Sequence, residues 1–201
     1  PKNMSGKIWN SIGLMSGTSM DGIDAALIKT DGYQVLEEGP FLTLPYKTAF
    51  RKLLENLIAG KGDLNKVENK LTLEHAKAVS TLIENFNVAI SEVDLIGFHG
   101  HTISHNPDKQ HTLQIGNGRL LAATTGVDVV NDLRSSDVKA GGQGAPLAPI
   151  YHKALMNSQD LPAIILNIGG VANITWVDTL DENLTGFDTG PGNALIDDWI
   201  K

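Results

Sequence analysis

The sequence contains no cysteine, which excludes disulfide bonds and thiolate metal sites. It also lacks an excess of positive charge: 16 lysine and arginine residues stand against 23 aspartate and glutamate residues, for a formal net charge of -7. This balance argues against nucleic acid or an anionic membrane as the main partner. The first apolar stretch, 8–15, is interrupted by polar residues and is too short for a signal peptide or a membrane span. We therefore expect a cytoplasmic protein.

Strand-like and helix-like segments alternate along the chain, which predicts an α/β fold with a mixed sheet covered by helices. The predicted strands are 8–15, 23–30, 33–44, 94–99, 112–115 and 127–131. Amphipathic periodicity predicts helices over about 50–60, 64–86 and 119–125, and Pro146 marks the first turn of another helix. The polar, glycine-rich segment 135–145 is predicted to be a loop.

The strand–glycine turn–strand plan of the N-terminus then recurs. Strands 163–168 and 171–177 flank Gly169 and Gly170, and a helix begins near Asn193. Its apolar face is incomplete where the sequence stops. We expect one domain over 1–160 and the beginning of a second, similar domain over 161–201, with the remainder of that domain absent.

A glycine-rich turn, Ser16–Gly22, joins the first two predicted strands. Small residues let backbone N–H groups converge on an anion, and hydroxyls add donors, so the turn is a candidate phosphate loop. Asp21 or Asp24 could hold Mg²⁺, directly or through water. The turn has neither the lysine of a P-loop nor the glycine spacing of a Rossmann turn. An ordinary hairpin turn uses the same residue types and is the alternative.

Four histidines, His99, His101, His105 and His111, lie around the end of a predicted strand. Imidazole is a common metal ligand, but no acidic residue lies within 99–105, so substrate contact or a surface loop is favoured over a metal site. Arg134, in a later loop, could bind a carboxylate or a phosphate with two hydrogen bonds. A salt-bridged arginine in a mobile loop is the alternative.

Two further glycine turns lie at 166–174 and 186–193. Glycine weakens a strand unless the backbone must approach something closely, which makes Asn167, Gly169 and Gly170 a candidate second phosphate turn. Asp188 lies at a predicted strand end before a tight turn, a position suited to a general base facing a cleft. An Asx hydrogen bond that only caps the turn is equally compatible with the pattern.

Six segments, in this order and at this spacing, together resemble the anhydro-N-acetylmuramic acid kinase family. They are Ile12–Asp24, Gly97–His101, Thr112–Gly116, Gly141–Pro146, Leu166–Gly170 and Gly186–Asn193. That family belongs to the superfamily of sugar kinases, actin and the heat-shock ATPases. The resemblance therefore implies two ribonuclease-H-like (actin-like ATPase) domains, with ATP bound in the cleft between them.

The resemblance also implies a reaction. The family opens 1,6-anhydro-N-acetylmuramic acid with water and transfers the γ-phosphate of ATP to the 6-oxygen, which gives N-acetylmuramic acid 6-phosphate during peptidoglycan recycling. ATP and Mg²⁺ are the implied cofactors, Asp188 the implied base, and His99 and Arg134 implied contacts to the sugar. The implied ATP-binding stretch comprises Gly17, Thr18, Ser19, Met20, Asp21, Gly22, Ile23 and Asp24.

Family members are considerably longer, so we expect the 201-residue chain alone to show little kinase activity. Three rival functions stay open: another sugar kinase of the actin-like fold, a non-catalytic ATP-binding module, and a ribonuclease-H-like nuclease. A nuclease needs a cluster of acidic residues and a basic track for nucleic acid. Asp21, Asp24 and Asp94 match the required acidic cluster poorly. The oligomeric state, a homodimer included, is also open.

Overall fold

The computed structural model describes residues 6–156, 160–179 and 183–200 of the chain. The chain divides into two compact units, Pro1–Gly142 and Gln143–Lys201. The assignment of domains to 1–160 and 161–201 stays a prediction, and its last residue, Lys201, lies outside the described residues. The second compact unit begins before 161 because helix Ala148–Leu155 packs against strands that follow it in the chain.

The first unit is built on a six-stranded sheet. Its strands are β1 (Trp9–Ser16), β2 (Gly22–Thr30), β3 (Val35–Pro45), β4 (Leu95–Asn106), β5 (His111–Ile115) and β6 (Val129–Asn131). β1, β2 and β3 form an antiparallel meander, and β4 runs parallel to β1. β4 is long enough to pair with parallel β6 over its first half and with antiparallel β5 over its second.

Apart from β5, the strand order is β3-β2-β1-β4-β6, with only β2 running against the others. This is the order and direction pattern of a ribonuclease-H-like sheet. The predicted α/β class with a mixed sheet is therefore confirmed.

Four helices complete the first unit: α1 (Thr48–Ile58), α2 (Leu64–Phe86), α3 (Gly118–Thr125) and α4 (Ser135–Lys139). Asp63 is the N-cap of helix α2, and its carboxylate accepts a hydrogen bond from Lys66 N. Asn87, in the left-handed conformation, is the C-cap. The apolar stripe of α2 packs on β1, β2 and β4 and forms the main core, which includes Ile12, Ile23, Val79, Leu82, Ile96 and Phe98. Each such side chain stabilises the fold by roughly 1.5–3 kcal/mol.

The second unit contains helix α5 (Ala148–Leu155), strands β7 (Ala163–Ile168), β8 (Val171–Val177) and β9 (Thr185–Pro191), and helix α6 (Ala194–Ile200). The strands form an antiparallel meander in the order β7-β8-β9. Helix α5 covers one face of the meander, where His152 Nδ1 lies 2.8 Å from Thr175 Oγ1. The other face exposes large apolar side chains, namely Ile164, Leu166, Ile168, Trp176 and Phe187.

Several details differ from the sequence-based predictions. β4 does not end at Gly100 but continues to Asn106, because Gly100 at φ 71° lets the strand pass through an irregularity. The predicted loop 135–145 contains α4, which is too short to show helical periodicity. Pro146 precedes α5, and Pro149 occupies the first turn instead. Among the described residues, no helix is both long and apolar enough to cross a bilayer.

Candidate active site

The turn between β1 and β2 presents backbone donors to solvent. Met20 N donates to Gly17 O over 3.1 Å, with Met20 at φ 53°. The carboxylate of Asp21 accepts from Ser19 Oγ at 2.6 Å and from Gly22 N at 3.0 Å. Thr18 and Ser19 are exposed, and their backbone N–H groups have no acceptor among the described residues. Adjacent unpaired N–H groups in a tight turn are the geometry that binds an anion.

The rest of the predicted ATP-binding stretch belongs to β2. Ile23 is fully buried in the core, so its side chain stabilises the fold. At Gly22 a Cβ would lie 2.6 Å from Leu44 O, so glycine permits the close pairing of β2 with β3. Asp24 is exposed, and its Oδ1 accepts from Thr43 Oγ1 over 2.6 Å.

The predicted Mg²⁺ contacts are two exposed single carboxylates, Asp21 and Asp24. The described part of the chain contains no group of three or more His, Asp or Glu side chains that could hold a metal ion. Magnesium bound to a nucleotide keeps several waters and needs only one or two carboxylates from the protein. The residues present therefore fit contact to a nucleotide-bound ion through water.

A buried hydroxyl, Ser16 Oγ, closes the base of the turn. Tyr46 Oη donates to it over 2.8 Å, and it lies 2.9 Å from His101 Nδ1. Burial raises the pKa of the Tyr46 hydroxyl well above its usual value, so this group stays a donor. Ser16 consequently donates its own proton to His101, and the neutral imidazole carries its proton on Nε2. Burial, with a smaller contribution from His99, lowers the pKa of His101 to about 4.

His99 and Arg134 are brought together by the structure. Arg134 Nε donates to His99 Nε2 over 2.8 Å, and His99 Nδ1 lies 3.1 Å from Gly100 O. An imidazole nitrogen that accepts from a guanidinium must be unprotonated. Burial first and the nearby guanidinium second lower the pKa of His99, which keeps the pair intact at neutral pH. This contact is not itself a salt bridge, because its partner is a neutral imidazole, and the alternative of a salt-bridged Arg134 stays a prediction.

The other two predicted histidines lie elsewhere. His105 and His111 are exposed in the β4–β5 hairpin, where each bonds a hydroxyl across the strands, Thr112 and Ser104 respectively. The four histidines therefore separate into a buried pair and an exposed pair. A fifth, His75 in α2, is fully buried beside His99 and His101.

Asp188 lies inside β9 rather than at a strand end. The register of β9 against β8 contains a β-bulge: Ala172 pairs with Gly190, but Asn173 pairs with Asp188, which leaves Thr189 as the extra residue. The pairing is regular from Thr185 to Asp188, and the bulge follows it. Asp188 therefore shares a face with Asn173, opposite to the face of Phe187, and its side chain is exposed.

The glycine turns of the second unit pack against one another. Gly192 N donates to Gly170 O, and Asn193 N donates to Gly169 O, each over 2.9 Å. A Cβ at Gly192 would collide with Gly169 O, so only glycine allows this approach. The candidate second phosphate turn is thereby tied to the segment that follows Asp188. Asn167, its third predicted member, is exposed in β7 and pairs with Asn173.

A concavity of about 470 Å³ lies at β2 and β3 and shares no residue with any of these features. Its charged lining includes Lys29 and Glu37, which form an ion pair at 2.9 Å. A charge that is already neutralised by its neighbour gives little reason to expect a ligand there. The polar groups described above are therefore the better candidates.

Three residues of the site were not found from the sequence: Tyr46, His75 and Asn173. Tyr46 and His75 act through contacts with residues distant in the chain, so no local pattern indicates them. Asn173 did leave a signal. It and Thr175 are polar at alternating positions of an otherwise apolar strand, which indicates a polar row on one face.

The sequence is similar to those of known kinases. A family model described as anhydro-N-acetylmuramic acid kinase matches residues 9–201. The chain is 51% identical to a protein of Paramagnetospirillum magneticum named anhydro-N-acetylmuramic acid kinase, over 94% of this chain and 53% of that protein. The corresponding protein of Rhodospirillum rubrum is 48% identical, over 100% of this chain and 54% of that protein. The chain thus spans about half the length of the curated relatives it matches.

Similarity to solved structures is weaker. An exopolyphosphatase-like protein aligns with a TM-score of 0.46 at 14% identity, over 92% of this chain and 52% of that one. An inorganic polyphosphate/ATP-glucomannokinase from an Arthrobacter strain aligns with a TM-score of 0.37 at 13% identity, over 88% of this chain and 60% of that one.

Proposed function

Because the chain belongs to the anhydro-N-acetylmuramic acid kinase family, we propose that the protein phosphorylates 1,6-anhydro-N-acetylmuramic acid with ATP and opens its anhydro ring with water. The product is N-acetylmuramic acid 6-phosphate, formed in the cytoplasm during the recycling of peptidoglycan. The observation that carries the proposal is the match over 9–201, which includes both the Ser16–Gly22 turn and Asp188.

The proposed chemistry is one coupled displacement. Asp188 takes a proton from water, and the water oxygen attacks the anomeric carbon. The bond between that carbon and the 6-oxygen breaks, and the 6-oxygen attacks the γ-phosphorus of ATP, so that ADP leaves. An exposed carboxylate turned onto the polar face of its sheet supports this role for Asp188. The alternative is a carboxylate that only caps a turn, but Asp188 lies inside β9 and accepts no hydrogen bond from a backbone N–H among the described residues.

Nucleotide phosphates are the proposed ligand of the Ser16–Gly22 turn. The unpaired N–H groups of Thr18 and Ser19 would donate to phosphate oxygens, and Asp21 or Asp24 would contact the magnesium ion through water. Bound magnesium supplies charge neutralisation at the phosphates. The turn at Asn167, Gly169 and Gly170 is proposed as a second contact to the phosphates.

His99 and Arg134 are the proposed contacts to the sugar. The hydrogen bond from Arg134 Nε to His99 fixes the plane of the guanidinium. A guanidinium held in one plane is suited to bidentate binding of a carboxylate, and the lactyl group of the substrate carries one. Besides its own contact to the sugar, His99 would orient the arginine.

The test uses the full-length protein, purified anhydro sugar and a coupled assay of ADP release. We expect ATP turnover that depends on the anhydro sugar, and Asp188→Asn should lower kcat by at least 10³-fold. ATP affinity should stay within about threefold of the wild-type value, because the amide keeps the shape of the carboxylate. Asp178→Asn, at an exposed turn of the same unit, is the matched control and should keep activity.

Turnover by the Asp188→Asn protein at the wild-type rate would refute the assigned base. Equal turnover of other sugars, with none of the anhydro sugar, would favour a different sugar kinase. ATP binding without any sugar-dependent turnover would favour a non-catalytic module. Salt-sensitive binding of nucleic acid would favour the nuclease reading.

A further inference from the structure

A row of three polar side chains crosses the meander of the second unit. Asn167 on β7 pairs with Asn173 on β8, and Asn173 pairs with Asp188 on β9. Directly opposite residues of antiparallel strands point to the same face, with Cβ atoms roughly 4.5–5.5 Å apart. Two short amides and a carboxylate are therefore neighbours on the face that α5 partly covers.

The amide of Asn173 has an unmet hydrogen bond. Its Oδ1 is shielded from solvent and has no partner among the described residues. A buried polar atom without a partner costs roughly 1–3 kcal/mol, so its presence in the middle of a strand calls for a reason. Thr175, two residues further along the same face of β8, is also buried, but its hydroxyl has a hydrogen-bond partner in His152.

A β-bulge adjoins this row. Its extra residue, Thr189, follows Asp188 directly and interrupts the ladder between β8 and β9. Thr189 Oγ1 donates to Ala172 O over 3.1 Å, which holds the extra residue in place. The strand therefore departs from regular pairing directly beside the carboxylate, and bulges are over-represented next to active sites.

We propose that Asn173 is a positioning residue for Asp188, through a ladder in which Asn167 Nδ2 donates to Asn173 Oδ1 and Asn173 Nδ2 donates to the Asp188 carboxylate. The inference rests on the proposed role of Asp188 as base. The ladder needs only rotation about the terminal torsions of two asparagines, which are soft. It satisfies the orphaned oxygen and holds one carboxylate oxygen, so that the other faces the water.

The ladder also links two parts of the reaction. Asn167 belongs to the candidate phosphate turn, and Asp188 is the candidate base. A phosphate group held at that turn would restrain Asn167, and the restraint would pass through Asn173 to the carboxylate. The base would therefore be best oriented when nucleotide is bound.

The test compares Asn173→Ala with Asn173→Ser in the full-length protein. The two replacements are nearly the same size, but only serine can donate to the carboxylate. We expect alanine to lower kcat by about 10–100-fold, a typical loss for a misoriented catalytic group, with KM for sugar and for ATP within about threefold of wild type. Serine should recover several-fold of the lost kcat. Thr175→Ala, on the same face of the same strand, is the control; it should lower Tm and leave kcat within about threefold.

Equal kcat values for the alanine and serine proteins, or losses that follow Tm alone, would overturn the inference. A wild-type protein without sugar-dependent turnover would instead count against the proposed function. A crystal structure of the full-length protein tests the ladder in that case too, since Asn173 Nδ2 should lie within about 3.2 Å of an Asp188 oxygen. A separation beyond about 4 Å with nucleotide bound would refute it.

Discussion

Ser16 Oγ lies 2.9 Å from Nδ1 of His101, and 85 positions in the chain separate the two residues. The contact joins the last residue of β1, where the candidate phosphate turn begins, to the irregular part of β4. Both side chains are buried, and Tyr46 donates to the same hydroxyl. The orientation of the turn therefore depends on a hydrogen-bonded chain beneath it.

Removing the Ser16 hydroxyl should lower the free energy of unfolding more than removing the Tyr46 hydroxyl. Ser16→Ala leaves both Tyr46 Oη and His101 Nδ1 without their partner, and we expect a loss of about 1–3 kcal/mol in the free energy of unfolding. Tyr46→Phe leaves the bond from Ser16 to His101 in place and should cost only about 1 kcal/mol. Urea denaturation of both proteins and of the double variant measures this. Additive losses would show that the three groups do not act as a chain.

The buried histidines predict a loss of stability in mild acid. Burial lowers the pKa of both His75 and His101 from 6.5 to about 4. Between those values the unfolded chain binds protons that the folded protein does not, so the free energy of unfolding falls as pH decreases from 6.5 to 4. Each group contributes up to roughly 3 kcal/mol. Denaturation at a series of pH values measures the slope.

A variant separates the two histidines. His75 packs edge-on against Phe98 and bonds only its own helix, so His75→Leu removes its titration while keeping an apolar contact. We expect the slope between pH 6.5 and 4 to fall without vanishing, because the pKa values of His101 and His99 are lowered as well. The partly buried carboxylates Asp31 and Asp94 have a lowered pKa and act at more acidic pH, below 3.8. A flat profile across the histidine range would contradict the burial of these imidazoles.

Gly100 is expected to be irreplaceable, and Gly126 gives the matched control. Both have positive φ, 71° and 74°, but a Cβ at Gly100 would collide with Ile115 O, whereas Gly126 has open space. Gly126→Ala should therefore cost only the left-handed strain, about 1–2 kcal/mol. Gly100→Ala should exceed about 4 kcal/mol, because the β4–β5 pairing must also move. Thermal unfolding compares the two proteins, and equal losses would show that the close approach is unimportant.

The pair of His99 and Arg134 predicts an effect on substrate binding. His99→Leu removes the acceptor that orients the guanidinium, and we expect KM for the sugar to rise about tenfold with little change in kcat. His99→Gln retains an acceptor oxygen at similar reach and should restore much of the affinity. Steady-state kinetics with varied sugar measures both. A fall in kcat at unchanged KM would assign His99 to the chemical step instead.

Local pattern was a good guide to much of the fold. The strands 163–168 and 171–177 and the helix 64–86 lie where alternation and helical periodicity predicted them. The pairing of β4 was not predictable in this way. Beyond Gly100 the strand pairs with β5, which follows it in a hairpin, whereas its first half pairs with the more distant β6. Tertiary pairing, rather than propensity, sets its length.

Residue types in the candidate site were predictable, but their grouping was not. The Ser16–Gly22 turn, Arg134 and Asp188 were identified from the chemistry of their side chains and from a family resemblance. No spacing in the sequence brings Tyr46 to Ser16, since 30 positions separate them. The bulge at Thr189 was also hidden, although it leaves Asp188 on the face that alternation from Phe187 gives.

The bulge in β9 lies between two segments that each pair regularly with β8. Residues 185–188 pair regularly up to Asp188 and Asn173, and the pairing resumes at Gly190 after the extra residue, Thr189. Deleting Thr189 would therefore make the pairing regular and leave Asp188 on the face of Asn173. For engineering by deletion, Thr189 is the position in this strand where the loss of one residue leaves the faces of the other side chains unchanged.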